Sequence, residues 1–361
     1  MSRWVDVAVI GGGVAGLCAG IAAAGHGLSS VIFDTTGAEA TRQGIETLEP
    51  RVPRLLADLG AGAVLASAGA RPSPGTLVAW GSSEPLSRDS ILDPHGDAVH
   101  VDRRALRTAL VSAANSAGVA LRLGCAVRFR GMPDGGGWLI GSDDTATAAR
   151  FLIIATGRQN SVAPPPARHY VVDRLVAVIA EAMPVAGMNS LEPRLVVEAA
   201  PDGWWYAAPA RDGRLQIVFL TDSDIWRRMP GSAADRLKDL TCTSPLIQSL
   251  IGTDLSVTCA VAANTTVCLP AAGHRWIAIG DAALAFDPLS GRGVLHALTS
   301  ALVAADIAAA PQDRRASLTE TYARDVEQRF ASFLIMRTRH YGREERWGDH
   351  TFWRRRCEPP S

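Results

Sequence analysis

A chain of 361 residues, 47% apolar and 20% charged, is long enough for two or three intertwined domains and has the make-up of a globular enzyme. A formal net charge of +0 gives no electrostatic footprint for nucleic acid or an anionic membrane surface. Its 6 cysteines form no CxxC pair and no zinc-type spacing with histidine, which predicts reduced thiols, a cytoplasmic setting and no metal site. The opening MSRWVDVAVIGGG lacks the cleavage pattern of a signal peptide. No apolar run reaches the roughly 18 residues of a membrane span.

Residues 5–10 are a short, β-branched run, as a buried parallel strand requires. Gly11-Gly12-Gly13-Val14-Ala15-Gly16 then fits GxGxxG. Gly11 permits the tight turn, Gly13 lets the backbone approach a pyrophosphate, and Gly16 lets a helix pack closely on the strand. That helix is predicted over 14–26, with Val14 and Ala15 presenting first-turn amides to the phosphates. A second strand over 30–33 ends in Asp34, 18 residues after Gly16, where a carboxylate holds a ribose 2′-hydroxyl. The carboxylate favours FAD or NAD over NADP; the competing reading is a glycine-rich turn that binds nothing.

Further along, edge strands are expected within 74–92, a helix over 102–117, a strand near 119–130, a turn at 132–137 (MPDGGG) and a strand over 150–155. Residues 194–222 have the composition of an antiparallel meander, with turns at Pro201-Asp202-Gly203 and Arg211-Asp212-Gly213. A helix is expected over 232–251, a strand over 255–268 and a long amphipathic helix over 313–340. The tail HYGREERWGDHTFWRRRC is aromatic and charged. Before that helix, a strand over 276–279 reaches Gly280-Asp281, and another glycine-lined helix opens near Gly291 and Gly293. A nicotinamide enzyme does not return to its first nucleotide fold in this way, so the second entrance points to FAD. No second GxGxxG occurs. Electrons would come from reduced nicotinamide docking transiently or from a separate flavin reductase, and the sequence leaves both open.

Four ordered blocks, GGGVAG at 11–16, HVDRRALRTAL at 100–110, ATGR at 155–158 and GDAALAFDPLSGRG at 280–293, resemble the flavoprotein monooxygenase superfamily with the p-hydroxybenzoate-hydroxylase fold. The chain is more closely similar to the branch that contains flavin-dependent halogenases. The resemblance implies an α/β fold with α+β elements: a discontinuous Rossmann-type FAD-binding domain (1–72, 100–166 and 270–310), an inserted antiparallel-sheet substrate domain (73–99 and 167–269) and a C-terminal helical region (311–361). It also implies that Gly11, Gly13, Val14, Ala15, Gly16 and Asp34 hold the ADP half. Arg42 and Arg103 would lie near pyrophosphate and ribityl, and Val127 would offer backbone to adenine. Gly157 would join the cofactor contacts, Asp281 would bind ribityl or pyrophosphate, Pro288 would lie against the isoalloxazine, and Gly291 and Gly293 would cradle its pyrimidine ring.

Halogenases of this branch use a lysine to capture hypohalous acid and carry a WxWxIP motif. Here Trp204-x-Tyr206-x-Ala208-Pro209 keeps only the first Trp and the Pro, and Lys238 is the only lysine. Arginine stays protonated and cannot replace that amine, so hydroxylation ranks above halogenation. GWWYAAPARDGRL, FDPLSGRG and the tail also resemble flavoprotein maturases acting on precursors of tryptophylquinone enzymes. That resemblance implies an aromatic substrate, a Trp on a precursor polypeptide, attacked by a flavin C4a-hydroperoxide, with the tail or the 74–99 face docking the partner. A prenyl-reductase-type enzyme and a non-catalytic FAD-bearing chaperone are the other classes. Catalytic candidates are Pro288, Glu46 and His296, with His169 and Asp287 as further acid/base groups. Trp204, Trp205 and Tyr206 read as core rather than as a substrate platform.

Overall fold

The β-branched run Arg3–Ile10 becomes the central strand of an eight-stranded sheet in the computed structural model, which describes residues 3–37, 44–90, 93–132, 136–142, 145–158, 162–185, 194–210 and 212–357. Ser30–Asp34 and Thr145–Ile154 flank it in parallel, Ala120–Leu123 extends one side, and Trp276–Ala278 extends the other. Ala272–Gly273 pairs antiparallel with Trp276–Ala278 at that edge, and Val127–Gly131 with Trp138–Ser142 folds back antiparallel on Thr145–Ile154. Parallel strands must be covered on both faces. The helices Val14–Gly25, Arg103–Ser116 and Gly293–Ala309 supply apolar residues to that core, including Leu17, Leu110 and Leu298, all at most 1% exposed.

A second sheet has seven strands in the order Ile251–Ala262, Leu175–Pro184, Leu215–Asp222, Gly203–Pro209, Leu195–Ala200, Gly75–Ala79 and Leu86–Asp89. It is antiparallel except where Leu195–Ala200 meets Gly75–Ala79. Because side chains alternate across a pleated strand, the neighbours Trp204 and Trp205 enter opposite cores. Trp205 packs with Phe219, Leu237 and Ile247, and Trp204 packs with Leu220, Tyr341, Phe352 and Trp353. Both indoles are satisfied: Trp205 Nε1 donates to Ser244 Oγ at 2.8 Å and Trp204 Nε1 to Tyr341 Oη at 3.0 Å.

Several elements are shorter than their sequence pattern suggests. The strand expected over 119–130 divides into Ala120–Leu123 and Val127–Gly131, because Gly124 turns the chain with φ +77°. The helix expected over 232–251 divides into Ala233–Thr241 and Pro245–Leu250. Pro245 has no N–H to continue a helix and instead starts the next one. Of the predicted turns, 133–135 and Arg211 lie outside the described residues, as do 91–92 of the edge segment.

The long helix Gln312–Tyr341 leads into a short final helix, Thr351–Cys357. That helix is fixed beneath the seven-stranded sheet. Trp353 Nε1 donates to Ala200 O at 3.0 Å, and Arg356 Nη2 donates to Asp222 Oδ1 at 2.7 Å. Phe352 and Trp353 are fully buried, each contributing on the order of 1.5–3 kcal/mol. Tyr341, Phe352 and Trp353 of the tail are therefore core, while Trp347 is half-buried. No described helix is long and apolar enough to cross a membrane, and no described cluster of His, Cys, Asp and Glu could hold a metal ion.

Candidate functional site

Three glycine-bearing turns meet at the carboxyl edge of the eight-stranded sheet. Ala155 N donates to Ile10 O at 2.7 Å and Ile279 N to Ile154 O at 2.9 Å. This sets GGGVAG, ATGR and GDA side by side, the crevice where open α/β sheets bind ligands. Gly11 has φ +112°, and a Cβ there would lie 2.2 Å from Ala155 O. A Cβ on Gly16 would lie 1.9 Å from Gly11 O, so the helix sits too close for any side chain. Gly13 is different, since a Cβ there would meet nothing within 4 Å. It caps the helix Val14–Gly25 without a side-chain hydrogen bond and with no acid in the first turn. The helix thus presents uncapped amides and a positive dipole end to open space.

Asp34 closes the far side of this turn. Its Oδ2 accepts from Gly12 N at 2.7 Å and its Oδ1 from Thr36 N at 2.7 Å. Arg107, 5% exposed, ties the turn together. Its Nε donates to Gly12 O at 3.0 Å, Nη1 to Gly37 O at 3.0 Å, and Nη2 to Asp34 Oδ2 and Thr36 O at 3.3 Å. A carboxylate offers about four acceptor positions, so Asp34 keeps capacity for a diol. Sequence reasoning missed Arg107. The available signal was its place one helical turn after Arg103. Cys125 N donates to Asp34 O at 3.0 Å, which brings the segment leading to half-buried Val127 alongside.

The second entrance abuts the first. Gly280 has φ +54°, and a Cβ on it would lie 2.8 Å from Ala15 Cβ. Asp281 pairs with Arg158 of ATGR at 3.3 Å, and Arg158 Nη2 also donates to Phe286 O at 3.0 Å. Arg158 is a second residue that sequence reasoning passed over. Asp287 is buried and accepts from Leu289 N at 3.0 Å, bracing the turn Pro288–Ser290. Gly291 follows with φ +63°, and the helix Gly293–Ala309 opens without a side-chain cap. Cβ atoms on Gly291 or Gly293 would meet nothing within 4 Å.

Glu46 pairs with Arg103 between the two sheets. Its strand, Ile45–Leu48, is anchored by Gln216 of the seven-stranded sheet. Gln216 Oε1 accepts from Ile45 N at 2.6 Å and Nε2 donates to Ile45 O at 3.2 Å. The Tyr206 side chain and the Asp281 carboxylate both lie close to Arg103. Burial and then Glu46 hold the Tyr206 phenol above its ordinary range, opposed by Arg103. The phenol therefore stays protonated as a donor at neutral pH.

Residues 6–44 match the FAD binding domain family. Over 294 residues the chain is 28% identical to LodB of Marinomonas mediterranea, described as an FAD-dependent oxidoreductase, a span covering 79% of this chain and 78% of LodB. Among solved structures, the peptidyl tryptophan dihydroxylase QhpG, essential for tryptophylquinone cofactor biogenesis, is similar with TM-score 0.78 and 26% identity, covering 98% of this chain and 79% of that one. The chain is an FAD-dependent oxidoreductase. The myxobacterial chondrochloren halogenase CndH shares the fold, with TM-score 0.85 at 20% identity over 98% of this chain and 86% of that one.

The residues of this FAD-dependent oxidoreductase fit the cofactor. Two uncapped helix ends face open glycines, and polar atoms without a hydrogen-bond partner among the described residues sit beside the glycine turns: Thr156 Oγ1 next to Gly11, and both ring nitrogens of His296 next to Gly280. Gly157, with φ +72° and open space around it, lies in the same edge. His296 is 5% exposed and stands edge-on to Phe286 at 5.1 Å. Burial pushes its pKa down to about 4, so it is neutral at pH 7. The Gly280 backbone approaches it without a well-directed hydrogen bond. His169 lies on Arg168–Val171 with Nε2 buried and unpartnered among the described residues. Arg42 lies outside the described residues.

Proposed function

We propose that this flavoprotein is a monooxygenase that hydroxylates an electron-rich aromatic ring, a Trp side chain of a partner polypeptide during quinone-cofactor biogenesis. The likeness to QhpG across 98% of the chain carries this reading. Lys238 separates it from halogenation: the only lysine is exposed on the helix Ala233–Thr241, which packs on the seven-stranded sheet beside Trp205 and Phe219.

Residues 1–72, 100–166 and 270–310, built around the eight-stranded sheet, serve as the FAD domain, 73–99 and 167–269, built around the seven-stranded sheet, as the substrate domain, and 311–361 as a C-terminal helical region. Reduced FAD supplies the activation of oxygen. The amides of Gly13, Val14 and Ala15 would bind its pyrophosphate, and Asp34 its adenosine ribose. Arg103, fixed by Glu46, and Asp281, fixed by Arg158, would hold the ribityl side of the cofactor. Gly293 would donate to the pyrimidine edge at a helix N-terminus, where negative charge is stabilised, and Gly291, whose N–H is held by Pro288 O at 3.0 Å, would leave that approach open. Pro288 walls the reacting side and helps exclude water. An indole is electron-rich enough to react without a strong base, which agrees with a neutral His296 and a Glu46 committed to Arg103.

Mass spectrometry of a co-expressed quinone-cofactor precursor polypeptide tests the reading. Added oxygen on Trp, independent of halide and dependent on oxygen, is expected. A chlorinated or brominated product would move the assignment to the halogenases, whose fold the chain shares, and turnover without oxygen would move it to the reductases.

A further inference from the structure

At the amino ends of the parallel strands, opposite the flavin crevice, Trp4, Arg150, Arg275, Gln312 and Arg315 line a cavity of about 540 Å³. Six residue steps along the central strand separate Trp4 from Ile10, which puts the cavity roughly 20 Å from the Gly11 turn. It is not part of the site described above.

Three guanidinium groups converge there. Burial, and then the positive charges of Arg275 and Arg150, depress the pKa of Arg315. Arg315 donates to the carbonyls of Ile307, Ala308 and Ala310 at 2.8–3.2 Å and lies over the Phe151 ring. That is a helix-end role and explains its position. It does not explain Arg275, which holds φ +59°, a backbone region unfavourable for a side chain of this size. The Arg275 carbonyl accepts from Leu152 N at 3.0 Å and from Trp138 Nε1 at 2.8 Å, so the residue is locked in place. Its Nε is buried with no hydrogen-bond partner among the described residues. Arg150 has one carboxylate, Asp6, at 3.4 Å. Asp313 occupies the first turn of the Gln312–Tyr341 helix but does not line the cavity. Three like charges line one cavity with a single carboxylate, Asp6, beside them among the described residues, which favours an anion there.

We propose that this cavity binds a pyrophosphate-type anion, either free or carried by a nucleotide. The guanidinium groups of Arg150 and Arg275 hold the phosphates in charge-assisted hydrogen bonds. The N-terminus of a 30-residue helix at Gln312, uncapped by any side chain, adds dipole and amide donors. Trp4, 51% exposed, offers a face on which a base can stack.

The test uses FAD-saturated protein, so that the flavin's own pyrophosphate site is filled, titrated calorimetrically with pyrophosphate and, separately, with ADP. Saturable binding of one equivalent is expected. Arg150→Gln should weaken it about tenfold, the size of one charge-assisted hydrogen bond, with FAD content and thermal midpoint unchanged. Arg275→Asn, which tolerates the backbone conformation, should weaken it similarly. ADP binding more tightly than pyrophosphate, with the gain lost in Trp4→Ala, identifies a nucleotide as the source. Equal affinities identify the free anion. No heat up to millimolar ligand, or unchanged affinity in Arg150→Gln, overturns the proposal.

Discussion

The Tyr341 hydroxyl donates to the Asp287 carboxylate at 2.9 Å while accepting from Trp204 Nε1 at 3.0 Å. Arg337 completes the arrangement, its Nε donating to Asp287 Oδ2 at 3.3 Å and its Nη2 to Asp173 Oδ2 at 2.9 Å. The long C-terminal helix thus joins the seven-stranded sheet to the residue before Pro288. Tyr341→Phe leaves a buried indole N–H without an acceptor and Asp287 short of a donor. A loss of about 1–3 kcal/mol is expected, read as a lower midpoint in urea denaturation. An unchanged midpoint would show that the hydroxyl does not hold this junction.

Gly13 and Gly16 lie three residues apart and should fail differently. Gly13→Ala meets open space, so the apoprotein should lose less than about 1 kcal/mol. Its methyl group occupies the approach to the pyrophosphate, and FAD affinity should fall at least tenfold. Gly16→Ala strikes the Gly11 carbonyl and should destabilise the apoprotein itself. Thermal denaturation without cofactor, paired with FAD titration, separates the two effects.

Arg107 is the buried clasp of the dinucleotide turn. Arg107→Met leaves Asp34 and the Gly12, Thr36 and Gly37 carbonyls without their shared donor. Stability should drop by about 3 kcal/mol or more, as for other broken buried pairs. Arg107→Lys should restore little, because one ammonium cannot reproduce the fork that reaches all four groups. Full rescue by lysine would reduce Arg107 to a point charge.

How far the sequence foretells these roles depends on where the constraint lies. Gly11, Gly16 and Asp34 were legible because a strand, a turn with positive φ and a close helix leave a fixed local spacing. The alternating Trp, Tyr and Val residues of 194–222 likewise announced a sheet. Arg107 and Arg158 were not legible, because their partners lie 70 residues or more away along the chain at Gly37 and 123 at Asp281. The burial of part of the tail was not legible for a related reason. Its run of three arginines reads as a solvated face, yet Arg356 is buried against Asp222 and the aromatic rings while Arg354 and Arg355 are exposed.

His296 gives a pH signature. The unfolded side chain titrates near 6.5, whereas burial pushes the native one to about 4. Between those values the unfolded chain takes up a proton that the native state refuses. Native stability therefore falls as pH drops through that window, by up to about 3 kcal/mol. His296→Phe should remove this component. Urea denaturation of the apoproteins at pH 7 and near pH 4.5 should show wild type losing about 2–3 kcal/mol more than the variant, and identical losses would place the imidazole in contact with water.

The most direct measurement is a crystal structure of the protein soaked with FAD. The account expects one molecule spanning both glycine entrances, its pyrophosphate on the amides of Gly13 to Ala15 and its ring between Pro288 and Gly293. FAD bound at only one entrance, or with its ring turned away from Pro288, would contradict it.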